Sequence, residues 1–161
     1  MRTEKALFAA GCFWGVQHYF DQVPGVVKTT VGYTGGHTQN PTYDEVCTHK
    51  TGHAEATLIE YDPNKVSYVT LVKQFFHMHD PTQVDRQGPD VGDQYRSAIF
   101  YFNNAQKSAV EEIEKDIQVD FKESIATKLS PAGDFYEAEP YHQKFTERTG
   151  IGMCHVPYTP L

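Results

Sequence analysis

The junction Gly11-Cys12-Phe13-Trp14-Gly15 constrains this chain more than any other stretch. The apolar run Ala6-Leu7-Phe8-Ala9-Ala10 ahead of it reads as a strand, whereas Val16, Phe20 and Val23 beyond it recur at helical spacing until Pro24-Gly25 breaks the pattern. A strand therefore has to become a helix at Cys12, which sets the thiol near the positive end of a helix dipole. A free thiol titrates near about 8.5 and is lowered at such a terminus, so Cys12 is placed to act as a nucleophile at neutral pH. Phe13 and Trp14, the single tryptophan, would form an apolar wall beside the sulfur. Taken alone, the pentapeptide fits a buried small hydrophobe among core aromatics equally well.

A length of 161 residues suits one domain, 1–161, able to bury a core without disulfide staples. The aromatic content of 13% supplies enough rings to line a pocket, and the net charge of -7 without a basic patch argues against a nucleic-acid partner. No apolar run reaches membrane-spanning length, and Met1-Arg2-Thr3-Glu4-Lys5 leads into a strand rather than a signal peptide, so a cytoplasmic location is expected. Three cysteines, an odd number, do not look like a secreted disulfide framework; in a reducing compartment they point to catalysis or metal binding.

Val26 to Val31 is β-branched and runs as a strand into the glycine-marked turn Gly32-Tyr33-Thr34-Gly35-Gly36. Residues 37–52 form a polar stretch too long to be an idle connection. The strand after it alternates, with Glu55, Thr57, Ile59 and Tyr61 on one face and Ala54, Ala56, Leu58 and Glu60 on the other. Ser67 caps a helix to about His79 whose stripe is Leu71, Val72, Phe75 and Phe76; residues 82–95 make a second long loop; Ser97 to Phe102 is a strand. Asn103 or Asn104 caps a long helix with Val110, Ile113 and Ile117 on one face. Ile125 to Leu129 offers one more strand, and a short helix is expected around Tyr141 to Phe145, with a mobile tail over about 146–161. This order predicts an α+β fold: a two-layer α/β sandwich with a mixed sheet, a ferredoxin-like core and a loop-rich C-terminal tail.

The loops and tail hold more polar aromatic residues than core packing explains, and Tyr43, Glu55, Asp90, Tyr95, Tyr141 and His142 are the candidates for chemistry. Desolvated beside rings, Glu55 would keep a proton to give away; facing solvent, it would have no role, and the residues leave both open. Cys154 follows Gly150-Ile151-Gly152-Met153, a segment mobile enough to carry a second thiol to the first, though the spacing equally fits a tail thiol without a partner. Cys47 reads as a bystander. His77 and His79, two apart on a helix, point to different faces, and no Cys-x-x-Cys exists, so no zinc site is expected.

Together, Gly11-Cys12-Phe13-Trp14-Gly15, Gly32-Tyr33-Thr34-Gly35-Gly36, Pro41-Thr42-Tyr43, Thr51-Gly52-His53-Ala54-Glu55, His79-Asp80-Pro81, Gln94-Tyr95-Arg96-Ser97, Phe135-Tyr136 and Tyr141-His142-Gln143 resemble the A-type peptide methionine sulfoxide reductases, in order from about Leu7 to Cys154. The resemblance implies reduction of the S epimer of free or protein-bound methionine sulfoxide, without a metal or organic cofactor, in the repair of oxidised proteins. It implies Cys12 as attacking thiolate, Glu55 as acid with Tyr43 and Tyr95 beside it, and Phe13 and Trp14 as a cage for the substrate methyl. Asp90 and His142 would stand at the substrate-binding rim. A Cys12 sulfenic acid would condense with Cys154 to a disulfide that thioredoxin reduces. No thiol follows Cys154, so a three-thiol relay is not expected, and the chain is expected to act as a monomer. Two rivals stand beside this reading: a thiol hydrolase or transferase using His142 as base for Cys12, and a redox-sensing or peptide-binding module without turnover.

Overall fold

The computed structural model describes residues 2–150; Cys154 and the rest of 151–161 lie outside the described residues. In chain order the elements are β1 (Glu4–Ala10), α1 (Phe13–Asp21), β2 (Val26–Thr34), α2 (Tyr43–Val46), β3 (Ala54–Tyr61), α3 (Tyr68–Met78), β4 (Arg86–Gln87), β5 (Asp90–Val91), β6 (Ser97–Tyr101), α4 (Asn104–Ile117), β7 (Lys128–Pro131), β8 (Phe135–Glu137) and α5 (Phe145–Thr149). Six strands form one sheet in the order β7-β6-β1-β3-β2-β8. Its centre, β6-β1-β3-β2, is antiparallel throughout, and with α1 and α3 it makes the ferredoxin-like βαββαβ core expected from the sequence. The parallel pairing of β7 with β6 makes the sheet mixed.

Strand alternation divides the sheet between two unequal layers. Ala6, Phe8, Ala10, Ile59, Tyr61 and Ile99 face the helices, where the Phe8 ring lies 5.6 Å from Phe20 of α1 and 5.1 Å from Phe75 of α3. Burying each of the larger of these side chains contributes about 1.5–3 kcal/mol. Both capping expectations hold: Ser67 accepts from the Thr70 N–H and Asn103 from the Gln106 N–H.

The other layer is thin, built from Leu7, Ala9, Ala54, Ala56, Ala98 and Phe100 with Ala132 and Phe135 packed onto it. Its small side chains answer a constraint of topology. β7 and β8 are at opposite edges of the sheet, yet residues 132–134 alone connect them. Five strand spacings of about 4.8 Å would part the edges of a flat sheet by about 24 Å, while the four steps from Pro131 to Phe135 reach at most about 14 Å. The sheet therefore curls until its edges approach, and alanines let the connecting chain lie against its concave side.

Local structure departs from the sequence expectation in several places. Residues 37–52 contain α2, entered through a capping box in which Thr42 and Glu45 exchange side-chain and backbone bonds. Residues 82–95 contain the β4–β5 hairpin and a 3-10 turn at Asp93–Tyr95. The strand expected at Ile125 to Leu129 falls at Lys128–Pro131, because Ile125 and Ala126 instead bond to Gln118 and Pro81. The helix expected around Tyr141 to Phe145 is split into a 3-10 turn at Pro140–His142 and α5, with Lys144 between them in the left-handed region at φ 58°. Among the described residues no helix is long and apolar enough to cross a membrane.

Candidate active site

β1 ends at Ala10, and Gly11, with a φ of 94°, turns the chain as a residue with a side chain rarely could. Cys12 thereby becomes the N-cap of α1, 8% exposed, with its carbonyl accepting the Val16 N–H. The next N–H of the helix, that of Phe13, donates to Glu55 Oε1 at 3.2 Å. Glu55 comes from the second position of β3 and is 1% exposed, so a carboxyl group from the centre of the sheet sits against the same helix terminus that carries the thiol. A thiolate at Cys12 is stabilised there by the dipole and the open N–H groups. Alternation along β3 is as expected: Glu55 shares its face with Ile59 and Tyr61, opposite Ala54 and Ala56.

Rings enclose this end of the helix. Phe13 lies 5.7 Å from Tyr33, 5.2 Å from His142 and 6.5 Å from Tyr43, the last nearly parallel. Trp14 stacks on Phe145 at 3.9 Å, and its Nε1–H donates to His142 Nδ1 at 2.9 Å. That bond makes Nδ1 the acceptor and leaves the proton of the neutral ring on Nε2. Burial pushes the His142 pKa down, against the pull of nearby Glu139, which keeps the ring neutral around pH 7. His142 Nε2 is buried with no partner among the described residues, as is Asp90 Oδ2 on β5. Tyr141, half exposed, packs its ring tilted against His142 with centroids 4.0 Å apart.

The phenols of Tyr43 and Tyr95 have pKa values raised first by burial and next by the charge of Glu55. Both stay protonated and can donate. Tyr95 closes the Asp93–Tyr95 turn, and the negative groups that raise its phenol include Cys12 and Asp90 as well as Glu55. Tyr43 opens α2, and its hydroxyl lies beside the Cys47 thiol. Cys47, read from sequence as a bystander, is thus a neighbour of the site; burial pushes its thiol up, partly offset by its hydrogen bond with Tyr43.

Two participants escaped the sequence reading. Tyr33 pairs directly with Glu55 across β2 and β3, and its hydroxyl donates to Glu139 Oε1 at 2.9 Å. The second oxygen of Glu139 accepts the Tyr43 N–H at 3.1 Å. Burial raises the Glu139 pKa, but its own backbone N–H, that of Tyr43 and the Tyr33 hydroxyl outweigh this and hold it below the usual carboxylate range. The Tyr33 signal lay in the register of two adjoining strands; that of Glu139 did not exist locally, since it acts across 106 residues. The same segment is fastened by Gln143, whose side chain accepts the Val31 N–H and donates to the Val31 carbonyl.

Among the described residues no three of His, Cys, Asp and Glu come together as a metal site. A buried thiol position, a carboxyl group, protonated phenols and an aromatic enclosure remain, a set suited to attack by sulfur on a small group that must also receive a proton.

Comparison with known proteins gives a consistent result. The family model described as peptide methionine sulfoxide reductase matches residues 4–161. The peptide methionine sulfoxide reductase MsrA of Methanothermobacter thermautotrophicus is 50% identical over 157 residues, 96% of this chain and 93% of the relative. That of Pasteurella multocida is 46% identical over 159 residues, 98% and 91% of the two chains. Among solved structures, Mxr1 from Saccharomyces cerevisiae in reduced form superposes with a TM-score of 0.92 at 31% identity, over 98% of this chain and 93% of that one. Methionine sulfoxide reductase A of Corynebacterium diphtheriae gives 0.83 at 39% identity, over 93% and 76%.

Proposed function

Because this chain belongs to the peptide methionine sulfoxide reductase family and reduces methionine sulfoxide to methionine, we propose that Cys12 is its attacking thiol and Glu55 its acid. One observation carries the reading: Glu55 Oε1 lies 3.2 Å from the N–H of Phe13, the residue that follows Cys12. A sulfoxide sulfur is a poor electrophile until its oxygen is protonated, because an oxide cannot leave. Thiolate and acid must therefore meet around one S–O bond. Glu55 supplies the proton, and the Tyr43 and Tyr95 hydroxyls hold the oxygen as its charge changes. Phe13 and Trp14 cage the methyl group. With the oxygen on Glu55, the methyl against Trp14 and Cys12 approaching opposite the S–O bond, only one configuration at sulfur directs the rest of the substrate out of the pocket, which selects the S epimer.

The oxygen ends on the Cys12 sulfur as a sulfenic acid, and methionine departs as the thioether, reduced by two electrons. The Cys154 thiol then displaces that hydroxyl as water, closing a Cys12–Cys154 disulfide and sparing Cys12 further oxidation. A thioredoxin dithiol opens the disulfide by exchange and resets the enzyme. Asp90 and His142, each with a buried polar atom turned to no protein partner among the described residues, bind the substrate at the rim. A cytoplasmic location accords with a cycle that ends in reduced thiols. The hydrolase alternative would be favoured by His142 against Cys12 with Glu55 remote, whereas Glu55 bonds the N–H that follows Cys12 and the His142 Nδ1 accepts from Trp14.

The test is Glu55→Gln, which keeps an oxygen for the Phe13 N–H but has no proton to release. Methionine formation from the S epimer should fall by about a hundredfold or more with the fold intact; a near-normal rate would return the acid role to Tyr43, Tyr95 or water.

A further inference from the structure

On the sheet face away from the helices lies a cleft of about 810 Å³ whose lining includes Arg96, Ala98, Phe100, Gly52 and Lys128. None of the residues assigned to the chemistry reaches it. Strand alternation explains the separation: Ser97 turns toward the helices and bonds to His79, while Arg96, Ala98 and Phe100 turn the other way. In the cleft the Arg96 guanidinium makes two bonds of 2.9 Å, one nitrogen donating to the Asp93 carbonyl and the other to the Gly52 carbonyl. Asp93 opens the turn that ends in Tyr95, and Gly52 stands three residues before Glu55. A planar fork bonded at both ends fixes these two backbone segments relative to each other. The same turn is tied on its other side by Gln94, whose Oε1 bonds His49 Nδ1 at 2.7 Å and so joins it to the segment after α2, which bears Tyr43.

We infer that Arg96 is a positioning residue for sulfoxide reduction, setting the Tyr95 hydroxyl against Glu55 from the far face of the sheet without touching substrate. This rests on the assignment of Glu55 and Tyr95 above. Misplacing a reacting group by about 1 Å can cost about a hundredfold in rate, so the loss of the fork is read in the chemical step. A lysine keeps the charge and the aliphatic stem but reaches one carbonyl at a time. The cleft, in the size range of small-molecule sites, admits a free guanidinium.

The experiment measures single-turnover methionine formation in Arg96→Ala and Arg96→Lys beside the wild type, with Tyr95→Phe and Glu55→Gln as references. The rate constant should fall about tenfold to a hundredfold in both Arg96 variants while the yield stays at about one methionine per enzyme. Millimolar methylguanidinium should restore the rate several-fold in Arg96→Ala and not in Tyr95→Phe. A rate constant within about twofold of the wild type in either Arg96 variant overturns the inference. So does a lower yield at an unchanged rate constant, which marks loss of folded protein only. Arg96→Lys carries the test if Arg96→Ala does not fold. Wild-type turnover indifferent to Glu55→Gln and Tyr95→Phe overturns instead the assignment beneath it.

Discussion

Replacing Tyr33 by phenylalanine removes one buried oxygen and leaves the ring against Phe13. In the intact chain that hydroxyl donates to Glu139 Oε1 at 2.9 Å while Oε2 accepts the Tyr43 N–H, so one carboxylate fastens β2 to the first turn of α2. A hydrogen bond to a charged group contributes about 1.5–3 kcal/mol; Glu139 is partly exposed, water replaces some of the loss, and the lower figure of about 1.5 kcal/mol applies. For a chain of this length the melting temperature moves about 2–4 °C per kcal/mol, which gives a fall of about 3–6 °C. The pH dependence follows from the depressed pKa of Glu139. A carboxyl group whose folded pKa lies below its unfolded value of about 4.3 stabilises the fold fully above that value and loses the contribution as pH falls through the folded one. The difference between wild type and Tyr33→Phe should therefore be complete near pH 7 and shrink below about pH 4. Thermal or urea denaturation of both proteins at the two pH values measures it. Equal gaps at both, or none near neutrality, would refute the role given to this carboxylate.

Cys12→Ser should form no methionine from either epimer; appreciable residual turnover would remove Cys12 from the mechanism. Cys154→Ser should release about one methionine per enzyme and then fail to recycle with thioredoxin, whereas repeated turnover would assign the resolving step to another thiol. Gly32→Ala puts a Cβ 2.3 Å from the Tyr136 carbonyl oxygen and 2.5 Å from the Phe135 ring, so β8 must move. The cost of such overpacking, about 1–3 kcal/mol, should lower the melting temperature by several degrees, and an unchanged melting curve would contradict the close approach of β8 to β2.

The sequence revealed what depends on local pattern. The change of period at Cys12 located the end of β1 and the start of α1, the alternation around Glu55 assigned its face, and Ser67 and Asn103 marked their helices because caps are local chemistry. Pairings set by distant chain were hidden. Lys128–Pro131 forms a strand because β6 offers it a parallel edge, and nothing within KLSP announces that. Glu139 reads as an ordinary loop glutamate until Tyr33 and Tyr43 are brought to it. Arg96 stands in a motif already noted, yet its partners are carbonyls, to which sequence is blind. Resemblance to a family supplied roles for Cys12 and Glu55 that the residues alone left open, but not the scaffold behind those roles.

The fastening of Val31 by Gln143, across 112 residues, bears on how the protein is made. The strands and helices of the βαββαβ pattern, from β1 to β6, are all synthesised by Tyr101, and Val110 and Ile113 of α4 follow to complete the helical layer. Glu139, His142 and Gln143 are made some forty residues after β6, and their partners lie on strands and turns synthesised long before them. The residues that open the pocket are thus translated well before those that close it, and catalytic competence must wait for the last third of the chain.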